Sequence, residues 1–171
     1  MGPLIAAVAA RRRLRAFTLV ELLVVIVVVG VAAGLVVVNL GDDRRTADRE
    51  AKRLAGALEH AADVAQWRGE TLGVSADGRG YRFWQRGDDD RWIALAGDDV
   101  LAPRVLPPEL TVTPLTYAGA PVRSDAILPL RASGRNEPYA LALGSPAWSA
   151  VIAADPLNRV HVAGGPTAAS R

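Results

Sequence analysis

Arg15-Ala16-Phe17-Thr18-Leu19-Val20-Glu21 stands at the head of a long apolar run, and the reading of this junction decides the fold. From Phe17 to Leu40 there are 24 residues with one charge, Glu21, and one amide, Asn39. As a helix this stretch spans roughly 36 Å, slightly more than the hydrocarbon core of a bilayer. Valines at 24, 25, 27, 28 and 29 and again at 36 to 38 suit a buried strand as well, but no strand is that long. Length therefore predicts a membrane helix over 17–40. Arg11, Arg12, Arg13 and Arg15 precede it, and the positive-inside rule keeps them cytoplasmic and sends the C-terminal part across the membrane.

Those four arginines also distort the charge balance. The whole chain of 171 residues has a formal net charge of +2. Without residues 1–16, sixteen basic residues face eighteen acidic ones. A nucleic-acid partner needs a basic face on the folded domain, and no such cluster follows residue 53, so none is expected. The chain has no cysteine. That excludes disulfides, thiolate metal sites and a cysteine nucleophile.

Three readings compete at the junction. A cleaved secretory signal has a small-residue site at Val31-Ala32-Ala33, but the apolar run continues past it. A plain signal anchor fits everything except Glu21, which costs a few kcal/mol at membrane depth. The third reading uses every residue. Phe17-Thr18-Leu19-Val20-Glu21-Leu22-Leu23 resembles the prepilin processing site of type IV pilins and type II secretion pseudopilins. The resemblance implies cleavage between Ala16 and Phe17, methylation of the new Phe17 amine, and a filament-assembly role for Glu21. The family almost always has Gly before the cut, where this chain has Ala16. A carboxylate in low dielectric is relieved by a nearby opposite charge. The family supplies it as a neighbouring subunit's N-terminal amine, here that of Phe17.

Gly41-Asp42-Asp43 ends the apolar run. Ala47, Ala51, Leu54, Leu58, Ala61 and Ala65 then recur at steps of three and four. They predict an amphipathic helix over 41–69 that stops at Gly69. Beyond it, alternation and turn residues predict about eight short strands between 70 and 163. These are placed at Leu72–Ala76, Tyr81–Gln85, Arg91–Leu95, Leu110–Tyr117, Ala126–Arg131, Tyr139–Leu143, Ser149–Ala154 and Arg159–Ala163. Pro103 to Pro108 reads as a connection, and Pro114 argues for an edge or a bulge. Asp155-Pro156-Leu157-Asn158 reads as a hairpin turn, and 164–171 as a loose tail. The expected class is α+β, with a long N-terminal helix packed on an antiparallel β-sandwich or curled sheet.

The domain also resembles the H-type minor pseudopilins. The residues that carry this are Trp67-Arg68-Gly69-Glu70, Tyr81-Arg82-Phe83, Trp92, Ser133-Gly134-Arg135, Tyr139 to Leu143, and Arg159-Val160-His161-Val162. The resemblance implies an inner-membrane, single-pass subunit with a periplasmic domain, at or near the tip of a filament that drives exoproteins through an outer-membrane secretin. Its implied partners are other pseudopilins, the prepilin peptidase/methyltransferase and the inner-membrane assembly platform. A minor pilin of a type IV pilus is the alternative.

No cofactor, metal or catalytic residue is expected. Asp88, Asp89, Asp90, Asp98 and Asp99 could offer oxygens to Ca²⁺, but without EF-hand spacing they read as solvated turns. Ser149, Asp155 and His161 make a triad on paper only, with no nucleophile signature. Trp67, Trp84, Trp92 and Trp148 read mostly as packing residues, with one or two free to face a neighbouring subunit.

Overall fold

The computed structural model describes residues 19–146 and 148–166, with side-chain surroundings for all of these except 31–42 and 166. The chain divides into two units, Met1–Asn39 and Leu40–Arg171. Helix α1 runs from Leu19 to Arg68.

In the first unit, every large apolar side chain from Leu19 to Val29 is at least half exposed, from 50 % at Val25 to 81 % at Leu19. They point in all directions around the helix, so no single packed face could bury them all. Among the described residues no helix is long and apolar enough to cross a membrane. The expected 17–40 span lies partly outside those residues.

In the second unit α1 is one-sided. Ala47, Ala51, Leu54, Ala57, Leu58, Ala61, Ala62 and Ala65 are buried along one face. Alanine and leucine favour the helix intrinsically and, on this face, also supply its packing surface. The helix stops as expected. Gly69 takes φ 70°, and the Glu70 N–H donates to the Ala65 carbonyl at 3.1 Å, a left-handed C-terminal closure.

Among the described residues ten strands follow in two antiparallel sheets. One sheet holds β1 (Leu72–Ala76), β2 (Gly80–Arg86), β3 (Trp92–Ala94), β4 (Arg104–Val105) and β7 (Leu128–Leu130), ordered β3-β2-β1-β7 with β4 also on β2. The other holds β5 (Thr111–Tyr117), β6 (Ala120–Pro121), β8 (Tyr139–Gly144), β9 (Trp148–Ala154) and β10 (Val160–Pro166), ordered β10-β9-β8-β5-β6. A bridge between Gly78 and Val112 ties the two sheets. Leu72, Val74, Phe83, Leu128 and Leu130 of the first sheet share one core with Val112, Leu141, Leu143 and Ile152 of the second and with the alanine face of α1. Each fully buried Leu contributes about 1.5–3 kcal/mol. The α+β expectation holds.

Three local expectations change. β4 lies inside the Pro103–Pro108 connection. It reaches β2 because Gly80 has no side chain: a Cβ there would sit 2.1 Å from the Arg104 carbonyl oxygen. β6 is a two-residue strand made by a tight turn at Ala118 (φ 52°) and Gly119 (φ 78°). β10 runs on through Gly164, Gly165 and Pro166, which pair with Ala150, Ser149 and Trp148. Gly164 to Pro166 therefore belong to β10 rather than to the expected tail, because a sheet ladder needs backbone amides and carbonyls rather than side chains. Two details follow the expectation. The β5–β8 register shifts between Pro114 and Thr116, and Asp155 to Asn158 form the β9–β10 turn, with Asn158 at φ 61°.

Candidate functional site

Of the junction residues, Ala16 and Phe17 lie outside the described residues. Glu21 sits in the first turn of α1, among the exposed Leu19, Val20, Leu22 and Leu23. A carboxylate there is favoured by the positive end of the helix dipole. It is the only acidic side chain between Leu19 and Asn39. Within this unit the described geometry thus pairs a wholly apolar surface with a single ionisable group at its head.

The second unit contains a different arrangement, which pins α1 to the sheets. The alanine face is smooth and offers little shape to fix how far the helix slides. Polar contacts supply that. Arg104 of β4 donates to Glu50 through Nη2 at 2.6 Å to Oε1 and Nε at 3.3 Å to Oε2. The Glu50 side chain is 11 % exposed and that of Arg104 34 %. Hydrogen bonding to Glu50 raises the Arg104 pKa against the opposing effect of burial. Burial raises the pKa of the neighbouring Tyr81 hydroxyl, and the Glu50 charge adds to it. One turn to the C-terminal side of Leu54, the Val160 N–H donates to Glu59 Oε1 at 3.2 Å. His60 Nε2 lies 3.0 Å from Asp98 Oδ2. Asp98 Oδ1 also accepts the Val100 and Leu101 amides at 2.9 and 3.2 Å. Burial disfavours the charge on Asp98, but the bonds from His60 and the two amides outweigh it and hold the carboxyl below its usual range.

Sequence reasoning missed these clasps. Glu50 lies off the apolar stripe of the helix, and Arg104 lies in a stretch read as a connection. Only the Asp98-to-Leu101 spacing carries a local signal, that of a side chain capping the amides two and three residues on. Asn136 was missed too. It is buried. Its Oδ1 accepts the Arg131 amide, and its Nδ2 donates to Asn158 Oδ1 at 2.7 Å, tying the loop before β8 to the β9–β10 turn.

The acidic residues considered for calcium do not converge. Asp89 is held by Arg91, Asp90 pairs with Arg86 at 3.0 Å, and Asp98 is engaged as above. Among the described residues no group of three or more metal-binding side chains gathers. The paper triad is dispersed as well. Ser149 pairs with Gly165 and His161 with Ala153, four rungs apart on the ladder, about 13 Å. Asp155 accepts the Leu157 and Arg159 amides within its own turn. Of the tryptophans, Trp148 is buried, whereas Trp67 is 90 % exposed at the end of α1.

The architecture places the protein in the pilin-like α+β class, one long N-terminal helix followed by antiparallel sheets. The minor pseudopilin EpsH from the type 2 secretion system of Vibrio cholerae has the same fold, with a TM-score of 0.56 at 20 % identity over 69 % of this chain and 96 % of that one. The solution structure of E. coli GspH matches with a TM-score of 0.50 at 21 % identity, over 76 % and 95 %. A prokaryotic N-terminal methylation motif matches residues 11–37. Type II secretion system protein H of Aeromonas hydrophila is 35 % identical over 100 residues, 57 % of this chain and 55 % of that protein's length. The protein of the same name from Pseudomonas aeruginosa is 32 % identical over 139 residues, 78 % of each chain. The chain belongs to the type II secretion system protein H family, the minor pseudopilins.

Proposed function

We propose that this chain is a structural subunit, not a catalyst, at or near the tip of a periplasmic pseudopilus that drives exoproteins through an outer-membrane secretin. In this reading residues 1–16 are removed between Ala16 and Phe17, the Phe17 amine is methylated, and segment 17–40 anchors the chain in the inner membrane until it enters the filament. The carrying observation is the stretch Leu19–Val29, apolar on all sides and exposed, with Glu21 as its one acidic residue, at its head. Such a surface is stable only in lipid or among like helices. Glu21 then pairs with the Phe17 amine of a neighbouring subunit, which sets axial register while apolar packing supplies adhesion. Its partners are other pseudopilins, the peptidase/methyltransferase and the assembly platform.

The test is a Glu21→Gln chain produced in a strain lacking the native subunit. The core residues all lie beyond residue 46, so the domain's melting temperature stays unchanged while exoprotein export is lost. Mass spectrometry of the membrane-extracted protein reads the processing step directly. An N-terminus other than methylated Phe17, or full export by Glu21→Gln, would overturn the reading.

A further inference from the structure

β10 is an edge strand, and the pattern of its free backbone groups can be worked out. The Asp155 N–H donates to the Arg159 carbonyl, so that pair is hydrogen-bonded across the β9–β10 ladder. Alternation then makes Val160↔Ala154, Val162↔Ile152 and Gly164↔Ala150 the non-bonded pairs, with their β10 amides and carbonyls pointing away from β9. The Val160 N–H is taken by Glu59, and Pro166 has no N–H. Among the described residues the open donors on this edge are therefore those of Val162 and Gly164.

Edge strands are commonly protected by charge, proline or cover. Val160 to Gly165 contain no Asp, Glu, Lys or Arg, and His161, Ala163 and Gly164 are exposed. The solvent side of the sheet continues this character. The rows Ala163–Val151–Ala142–Thr113 and Gly165–Ser149–Gly144–Thr111 carry no charge.

We propose that this edge pairs with the same edge of a second copy of the chain, antiparallel about Ala163. In that register Val162 faces Gly164 of the other copy, and His161 faces Gly165, so each bulky residue meets a glycine. Two hydrogen-bonded pairs form, Val162 with Gly164 and its symmetry mate, giving four bonds in all. The next pair, Val160 with Pro166, would need two donors, and neither is available. The edge is thus bounded to the length that self-pairing can satisfy, and no like charges oppose one another. An unrelated extended segment would use the same four groups, but nothing on this edge selects its side chains. The glycine-for-bulk match selects this chain.

The absence of cysteine gives a direct test. In the full chain, extracted in mild detergent, Ala163→Cys places two thiols across the twofold in a non-bonded pair, with Cα atoms about 4.5 Å apart, inside the range a disulfide spans. His161→Cys places them about 13 Å apart. Under a mild oxidant, Ala163→Cys yields a disulfide dimer roughly tenfold more than His161→Cys. Adding Val162→Pro, which removes an outward donor at an edge position that tolerates proline, reduces the yield to that of His161→Cys. Should that variant unfold, Ala163→Lys, which sets like charges opposite one another, is expected to stay monomeric on a sizing column at concentrations where the unmodified chain associates. Equal yields from Ala163→Cys and His161→Cys, no dimer from either, or cross-linking of Ala163→Cys to another protein alone would overturn the proposal. The readout is independent of export, so it stands or falls apart from the filament reading.

Discussion

The clasp between Glu50 and Arg104 makes an asymmetric prediction. Replacing Arg104 by Met keeps most of the stem but strands the Glu50 carboxylate, 11 % exposed and facing an alanine-rich interface. Breaking a buried pair this way costs about 3–5 kcal/mol, while an exposed pair is worth about 0–1. The guanidinium is 34 % exposed, so solvent screening lowers the expected loss to about 2–3 kcal/mol. Replacing Glu50 by Gln instead leaves an acceptor in place and a guanidinium that can turn toward water, at a cost of about 1 kcal/mol. For a unit of this size these losses lower Tm by roughly 8 °C and 3 °C. Urea unfolding of the Leu40–Arg171 unit, followed by tryptophan emission, measures both, since the whole core lies inside that unit. The double variant should lose about 1–2 kcal/mol less than the two single losses combined. Equal costs for the two single variants, or strict additivity in the double, would refute the view that this pair sets the position of the helix.

Two further outcomes can be read from the same assay. The Tyr139 hydroxyl is buried without a hydrogen-bond partner among the described residues, and burial, aided by the Glu59 charge, raises its pKa far above the ordinary value. Tyr139→Phe should therefore stabilise the unit by about 0.5–1.5 kcal/mol, and a loss of stability would show that the oxygen is satisfied after all. Asp98 has a depressed folded pKa, so its contribution is fully present above the unfolded carboxylate value of about 4 and is lost as pH falls through the lower folded value. Asp98→Asn should flatten the acid limb of the stability curve below about pH 4. An acid limb unchanged by the substitution would remove Asp98 from the clasp.

Sequence by itself determined the long elements. An apolar run too long for a strand, one acid at its head and an alanine-leucine stripe of helical period specify α1 to Gly69, because local periodicity and chain length are properties of contiguous residues. The same holds for the Asp155 turn and the irregularity at Pro114, where a missing N–H or a capping carboxylate acts within a few positions. Tertiary structure alone decided how the helix is held. Glu50 and Arg104 are 54 residues apart, Glu59 and Val160 are 101 apart, and no spacing rule links them. β4 depended on Gly80 admitting a distant carbonyl, and β6 on two left-handed residues without an Asn-Gly signal. β10 could extend through two glycines and a proline because its partners are the backbone of β9. Which edge of which sheet stays open is likewise a property of strand order. Strand order arises from pairing between segments far apart in the chain, and the residues of an edge carry no local mark of it.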